Sequence, residues 1–98
     1  MAIFLVTEHR SGPGWDASRP MEGQSGWPEH AAFMDGLVED GFLVLGGPLA
    51  DEFRVALVVE AESEGAVRER FAGDPWIPSH LAIEAVEPWT IRLDARKP

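Results

Sequence analysis

Four short apolar runs and two stretches of helical periodicity alternate along this chain in the order β-α-β-β-α-β, which limits its possible folds more than any other feature. "AIFLVTE", residues 2–8, is rich in β-branched and aromatic residues and reads as a strand buried on both faces. The stretch 28–40 opens with Pro28, suited to the first helical position, and Glu29, suited to the positive end of the helix dipole. Phe33, Met34, Leu37 and Val38 make its inward stripe, and Gly41 is the expected left-handed stop. A strand over 42–46, a Gly-Gly-Pro break, a turn near Asp51 and a strand over 53–60 read as a hairpin. Ser63 is the expected cap of a second helix over 64–72, with a stripe of Ala66, Val67, Arg70 and Phe71 and a stop at Gly73. A last strand is expected over 81–93, with a bulge near Glu87 and Pro88, where one charge interrupts an apolar row.

That order predicts a ferredoxin-like α+β fold, an antiparallel sheet with both helices on one face, as one domain over residues 1–98. The strands are apolar on both sides, so the second face of the sheet needs covering. A homodimer pairing two sheets face to face, a dimeric α+β barrel, would cover it.

Charge and composition narrow the function classes. A formal net charge of -9 argues against nucleic-acid binding, which needs clustered Lys and Arg. The one dense basic group, the terminal "RLDARKP", reads as a solvated tail. With no cysteine there is no thiolate chemistry or disulfide framework. The opening "MAIFLV" lacks a basic n-region, and no apolar run approaches the roughly 20 residues of a membrane span. The expectation is a soluble cytoplasmic protein without membrane contact.

Topology gathers the candidate residues. If the first strand runs upward, right-handed connections place four segments at the upper end. These are the 9–26 loop, the start of the first helix, the "GGPLAD" turn and "GDPW" after the second helix. A loop as long as 9–26 is uncommon unless functional or disordered, and the large apolar rings of Trp15 and Trp27 argue against disorder. His30 lies three, four and seven residues before Phe33, Met34 and Leu37, so it faces inward. Burial and the positive helix end both favour a neutral imidazole there, and a carboxylate partner would make it a general base. Asp74 and Asp51 are the two acids at that end, and spacing leaves the choice open. A capped core histidine is the plain alternative for His30, and turn chemistry is the alternative for Asp74. Trp15, Trp27 and Trp76 either wall a pocket or close the core. Gly46 and Gly47 allow turning or close ligand approach, and "GGP" lacks the Lys-Ser/Thr of a phosphate loop. His9 and His80 read as surface residues, and Glu87 as a solvated strand residue. No His/Asp/Glu spacing predicts a metal site, so chemistry without metal or nucleotide cofactor is expected.

On "EHAAFMDGLVEDGFLVLGGPLAD", with His30, Gly41, Gly47 and Pro48 at its spacing, and on "DPW" at 74–76, the chain resembles the YCII-related family of small dimeric α+β barrel proteins. "PGWDASRP" is similar to the long Trp- and Arg-containing loop of one subgroup, and "EGQSGWPEH" departs from the shortest members. The resemblance implies a homodimer with facing sheets and a His–Asp pair, here His30 and Asp74. It supplies no single reaction: the family includes a dehydrochlorinase of chlorinated hydroxyquinols, and related barrels include muconolactone isomerase. The leading expectation is proton transfer on a small cyclic or aromatic molecule, of isomerase, lyase or dehydrohalogenase type. His30 would be the base and Asp74 its orienter, with Arg19 or the backbone near Gly47 stabilising oxyanion charge. Trp15, Pro48, Asp51 and Trp76 complete the expected substrate-binding set. The alternative is a non-catalytic dimer that only binds a small ligand in the same pocket.

Overall fold

The structure is a computed structural model and describes residues 1–96. It is an α+β fold of the ferredoxin-like kind, with elements β1 (Ala2–His9), α1 (Trp27–Glu39), β2 (Leu43–Pro48), β3 (Arg54–Ala61), α2 (Glu64–Phe71) and β4 (Ala82–Pro88). A 3₁₀ turn, Met21–Gly23, precedes α1. All strand pairs in the sheet are antiparallel, in the order β2-β3-β1-β4. Among the described residues no helix is long and apolar enough to cross a membrane.

One apolar cluster fills the space between the sheet and both helices. Phe4 and Val6 of β1, Leu57 and Val59 of β3 and Val86 of β4 meet Leu37 of α1 and Val67 and Phe71 of α2. Strand alternation puts Phe4, Val6 and Glu8 on the same inward row. On α1 the inward stripe is His30, Phe33, Met34 and Leu37, whereas Val38 is 55 % exposed. Val38 follows Leu37 by about 100° of helix rotation, which turns it off the stripe. Ser63 caps α2 as expected, accepting from Ala66 N–H at 3.1 Å. Gly41 has φ 78, the left-handed conformation expected after α1.

Three boundaries differ from the sequence reading. The Gly-Gly-Pro stretch is strand: Gly46, Gly47 and Pro48 pair with Leu57, Ala56 and Val55. β2 is an edge strand, which tolerates a proline, and Gly46 has no side chain to collide with β3. A Cβ on Gly46 would stand 2.5 Å from Leu57 Cδ2 and 2.9 Å from the Ala56 carbonyl oxygen. The second difference is the end of β4 at Pro88 instead of residue 93. Pro88 is already opposite Phe4, and Trp89 N–H reaches Ile3 O, so β1 has almost run out of partners. The third is the bulge, which falls at Glu84: Thr7 pairs with Ala85 but Glu8 pairs with Ile83. The shift brings Ile83 and Val86 to the inner face and leaves Glu87 outside, opposite Leu5.

On the outer face, Ile3, Val44 and Val58 share a groove with Ile91, Asp94 and Arg96. The segment after β4 thus lies along part of the face that the sequence left bare. Its dense basic end is only partly described, with Arg96 paired to Asp94 and residues 97–98 outside the described residues. Leu45 remains 48 % exposed on β2.

The β2 geometry makes a contrast that denaturant unfolding can check. Gly46→Ala should lower stability by about 1–3 kcal/mol through overpacking. Gly47→Ala, with nothing within 4 Å of the added methyl, should stay within about 0.5 kcal/mol of the parent.

Candidate active site

The long loop is held in place by one buried amide. Gln24 Nε2 donates to the carbonyls of Asp16 and Arg19 at 2.7 and 3.0 Å, while its Oε1 accepts from Asp16 N–H at 2.8 Å. The loop then docks on the connector after α2: Gly14 N–H donates to Ser79 O at 2.6 Å, and Trp76 Nε1–H to Ser25 O at 2.9 Å. The loop, the start of α1 and the "DPW" connector therefore meet at one end of the sheet. Gly26, with φ 74, turns the chain into α1 at that point and sets Trp27 and His30 on its first turns.

His30 and Asp74 meet inside. His30 Nδ1 lies 2.8 Å from Asp74 Oδ1, and both residues are buried. Asp74 Oδ1 also accepts the Trp76 backbone N–H at 2.9 Å, while Oδ2 is buried without a hydrogen-bond partner. An ionised carboxylate only accepts, so the ring proton sits on Nδ1 and the Nε2 lone pair is left for other work. The ring is clamped on one face by Trp76, at 4.0 Å between centroids and 7° between planes, and Trp27 tilts against it at 5.9 Å. Trp76 stacks in turn on His80, at 4.8 Å and 9°.

His80 is thus buried in the wall and not on the surface, because its ring completes the stack. Its two nitrogens reach Ser79 Oγ at 2.8 Å and Ser25 Oγ at 3.1 Å. Burial first, and the neighbouring His30 second, hold its imidazole below the usual histidine range. His9 is half-buried and stacks on Phe53 at 5.8 Å.

A cavity of about 340 Å³ opens beside the pair. Trp15, Trp27, Trp76, Met34, Leu57 and Pro48 give it apolar walls, and Gly46 and Gly47 leave one side to the backbone. The size suits a small ring compound. The residues expected around the substrate divide between this cavity and an adjoining groove. Trp15, Gly47, Pro48 and Trp76 line the cavity with His30, whereas Arg19 and Asp51 lie in the groove. Arg19 is exposed, 3.5 Å from Asp16. Asp51 is occupied by its turn: it accepts Phe53 N–H at 2.9 Å and Arg54 N–H at 3.0 Å, and pairs with the Arg54 guanidinium at 2.8 Å. Those bonds, the Arg54 N–H foremost, hold its carboxyl down at about 2. Of the two acids the sequence left open, Asp74 is the one beside His30.

Arg10 and Glu8 line the cavity and were not singled out in the sequence. Arg10 lines both cavity and groove, with its guanidinium 4.5 Å over the Trp15 ring. Glu8 is 1 % exposed, and its Oε2 has no hydrogen-bond partner. Burial first, then the charge of Asp74, push its carboxyl up to about 8. The signal was present in "FLVTE": the charge at its fifth residue falls on the alternating row Phe4, Val6, Glu8 and must point inward. Among the described residues, no group of three or more His, Asp or Glu is placed to hold a metal ion. A scan against protein-family models and a search of curated proteins each returned no match.

Glu8 gives a pH test of this arrangement. Its carboxyl rises from 4.5 to about 8 on folding, so between those values the folded state binds the extra proton. Stability should therefore fall as pH rises through that window, by at most about 1.4 kcal/mol per pH unit. Glu8→Gln should flatten this part of the profile in urea unfolding at several pH values; an unchanged slope would contradict the raised value.

Proposed function

We propose that the chain is a YCII-related homodimer, soluble and cytoplasmic, that moves a proton on a small cyclic or aromatic molecule in the cavity beside His30. The observation that carries this reading is the buried 2.8 Å contact of His30 Nδ1 with Asp74 Oδ1 at the wall of an apolar cavity. Asp74 fixes the ring and stabilises the imidazolium formed when Nε2 accepts a proton. Apolar walls lower the local dielectric, so the charge formed during transfer interacts more strongly with the few polar groups present than it would in water. The reaction class is isomerisation, elimination or dehydrohalogenation, each of which begins with removal of a proton next to an activating group. The homodimer reading draws on the family resemblance and on exposed apolar residues of the outer face such as Leu45.

A second reading, a dimer that binds a small ligand without turning it over, draws on the packing of His30. The ring lies flat on Trp76, and Asp74 Oδ1 already serves the Trp76 backbone, as a purely structural turn would arrange. The two readings part on turnover. With small cyclic ketones and lactones in D₂O, the first predicts enzyme-dependent exchange of protons next to the carbonyl, read by NMR. His30→Gln removes the basic nitrogen and should slow exchange by about 10²–10⁴-fold. Asp74→Asn should also slow it, by disturbing ring orientation and removing the charge behind it. Exchange by His30→Gln at the parent rate would contradict the first reading.

A further inference from the structure

Glu8 is the one buried acid of the cavity that the His30–Asp74 reading leaves without a task. It stands on the inward row of β1 and is 1 % exposed, with Oε2 lacking any partner, yet its side chain lines the same cavity as His30. Apolar neighbours such as Leu57 and Val55 give it nothing to bond, and Asp74 is near enough to oppose a second negative charge. A carboxylate in that position would be uncompensated, whereas a carboxylic acid has an O–H to donate. Two acceptors are open to that O–H: Asp74 Oδ2, itself buried without a hydrogen-bond partner, and a ligand oxygen in the cavity.

We propose that Glu8 is the hydrogen-bond donor of the cavity, a neutral carboxylic acid that binds the ketone, enol or phenol oxygen of a small ring compound. The ligand class follows from charge and shape. The aromatic walls take an uncharged ring, and a ligand carboxylate placed at Glu8 would add a negative charge beside Asp74. Arg10, the cation of the cavity lining, also faces the adjoining groove.

The catalytic half of this inference rests on the reading of His30 as base. A proton leaves the carbon next to the carbonyl for His30 Nε2, and the C–H electron pair becomes a carbon–carbon double bond. The carbonyl π pair moves onto oxygen, where the Glu8 O–H holds it. Return of the same proton from Nε2 to that carbon, or to one further along the conjugated system, completes an exchange or an isomerisation. No oxidant or reductant is consumed.

The binding half is tested with phenol and benzoate as probes, by titration calorimetry on the full chain. The parent should bind phenol, and more tightly than benzoate. Glu8→Leu, similar in volume but without a donor, should weaken phenol by about tenfold. Glu8→Gln, which keeps an N–H, should stay within about threefold. Infrared difference spectra between the parent and Glu8→Gln near pH 6 should show the carbonyl stretch of a neutral acid. No phenol binding by the parent, equal phenol affinity in the parent and Glu8→Leu, tighter benzoate than phenol, or a missing acid band would each overturn the proposal. Proton exchange is read on His30→Gln and phenol binding on Glu8→Leu, so failure of the base and failure of the donor are read separately.

Discussion

Asp74 Oδ1 accepts from both the His30 ring and the Trp76 backbone, so a single buried oxygen ties the first turn of α1 to the connector after α2. The rest of the site depends on that junction. It orients the imidazole, it presses the ring against Trp76, and through the Trp76 indole it anchors Ser25 at the end of the long loop. Removing either partner of a buried hydrogen bond strands the other, which typically costs about 1–3 kcal/mol and more where the stranded group is charged. The arrangement is therefore structural and chemical at once, and the same oxygen that ties α1 to the connector also leaves Nε2 out of the pair.

The fold was largely legible because alternation and helical period are local signals. Phe4 and Val6, Val67 and Phe71, the Ser63 cap and the Gly41 turn all lie where their patterns put them. The misplaced boundaries share a cause, in that each depends on a partner strand. Gly46 and Gly47 read as a break, but β3 supplies hydrogen bonds that flank them as strand. The end of β4 is set by where β1 begins, and the bulge at Glu84 by the register against Glu8. Neither is written in the residues of β4 itself.

The site was legible in part. The position of His30 on its helix and the topology of the connections brought it to the correct end of the sheet, but only tertiary geometry separates Asp74 from Asp51. Asp51 serves its own turn through three hydrogen bonds, and an Asp before a proline carries the same local signature. His80 was hidden for a similar reason: its burial comes from stacking on Trp76, four residues away in sequence but adjacent through the bend of the connector. Glu8 is the instructive omission. Strand alternation pointed it inward, and its burial beside Asp74 creates two acids with opposite tasks, one accepting from His30 and one held protonated by burial.

The central claim is that Asp74 fixes the proton of the neutral His30 ring on Nδ1 and leaves Nε2 as the basic nitrogen. Long-range ¹H–¹⁵N NMR on uniformly labelled protein reads this directly from the two ring nitrogens. The account predicts a protonated Nδ1 and an unprotonated Nε2 in the neutral ring, with that preference weakened in Asp74→Asn. A neutral ring carrying its proton on Nε2 would contradict it.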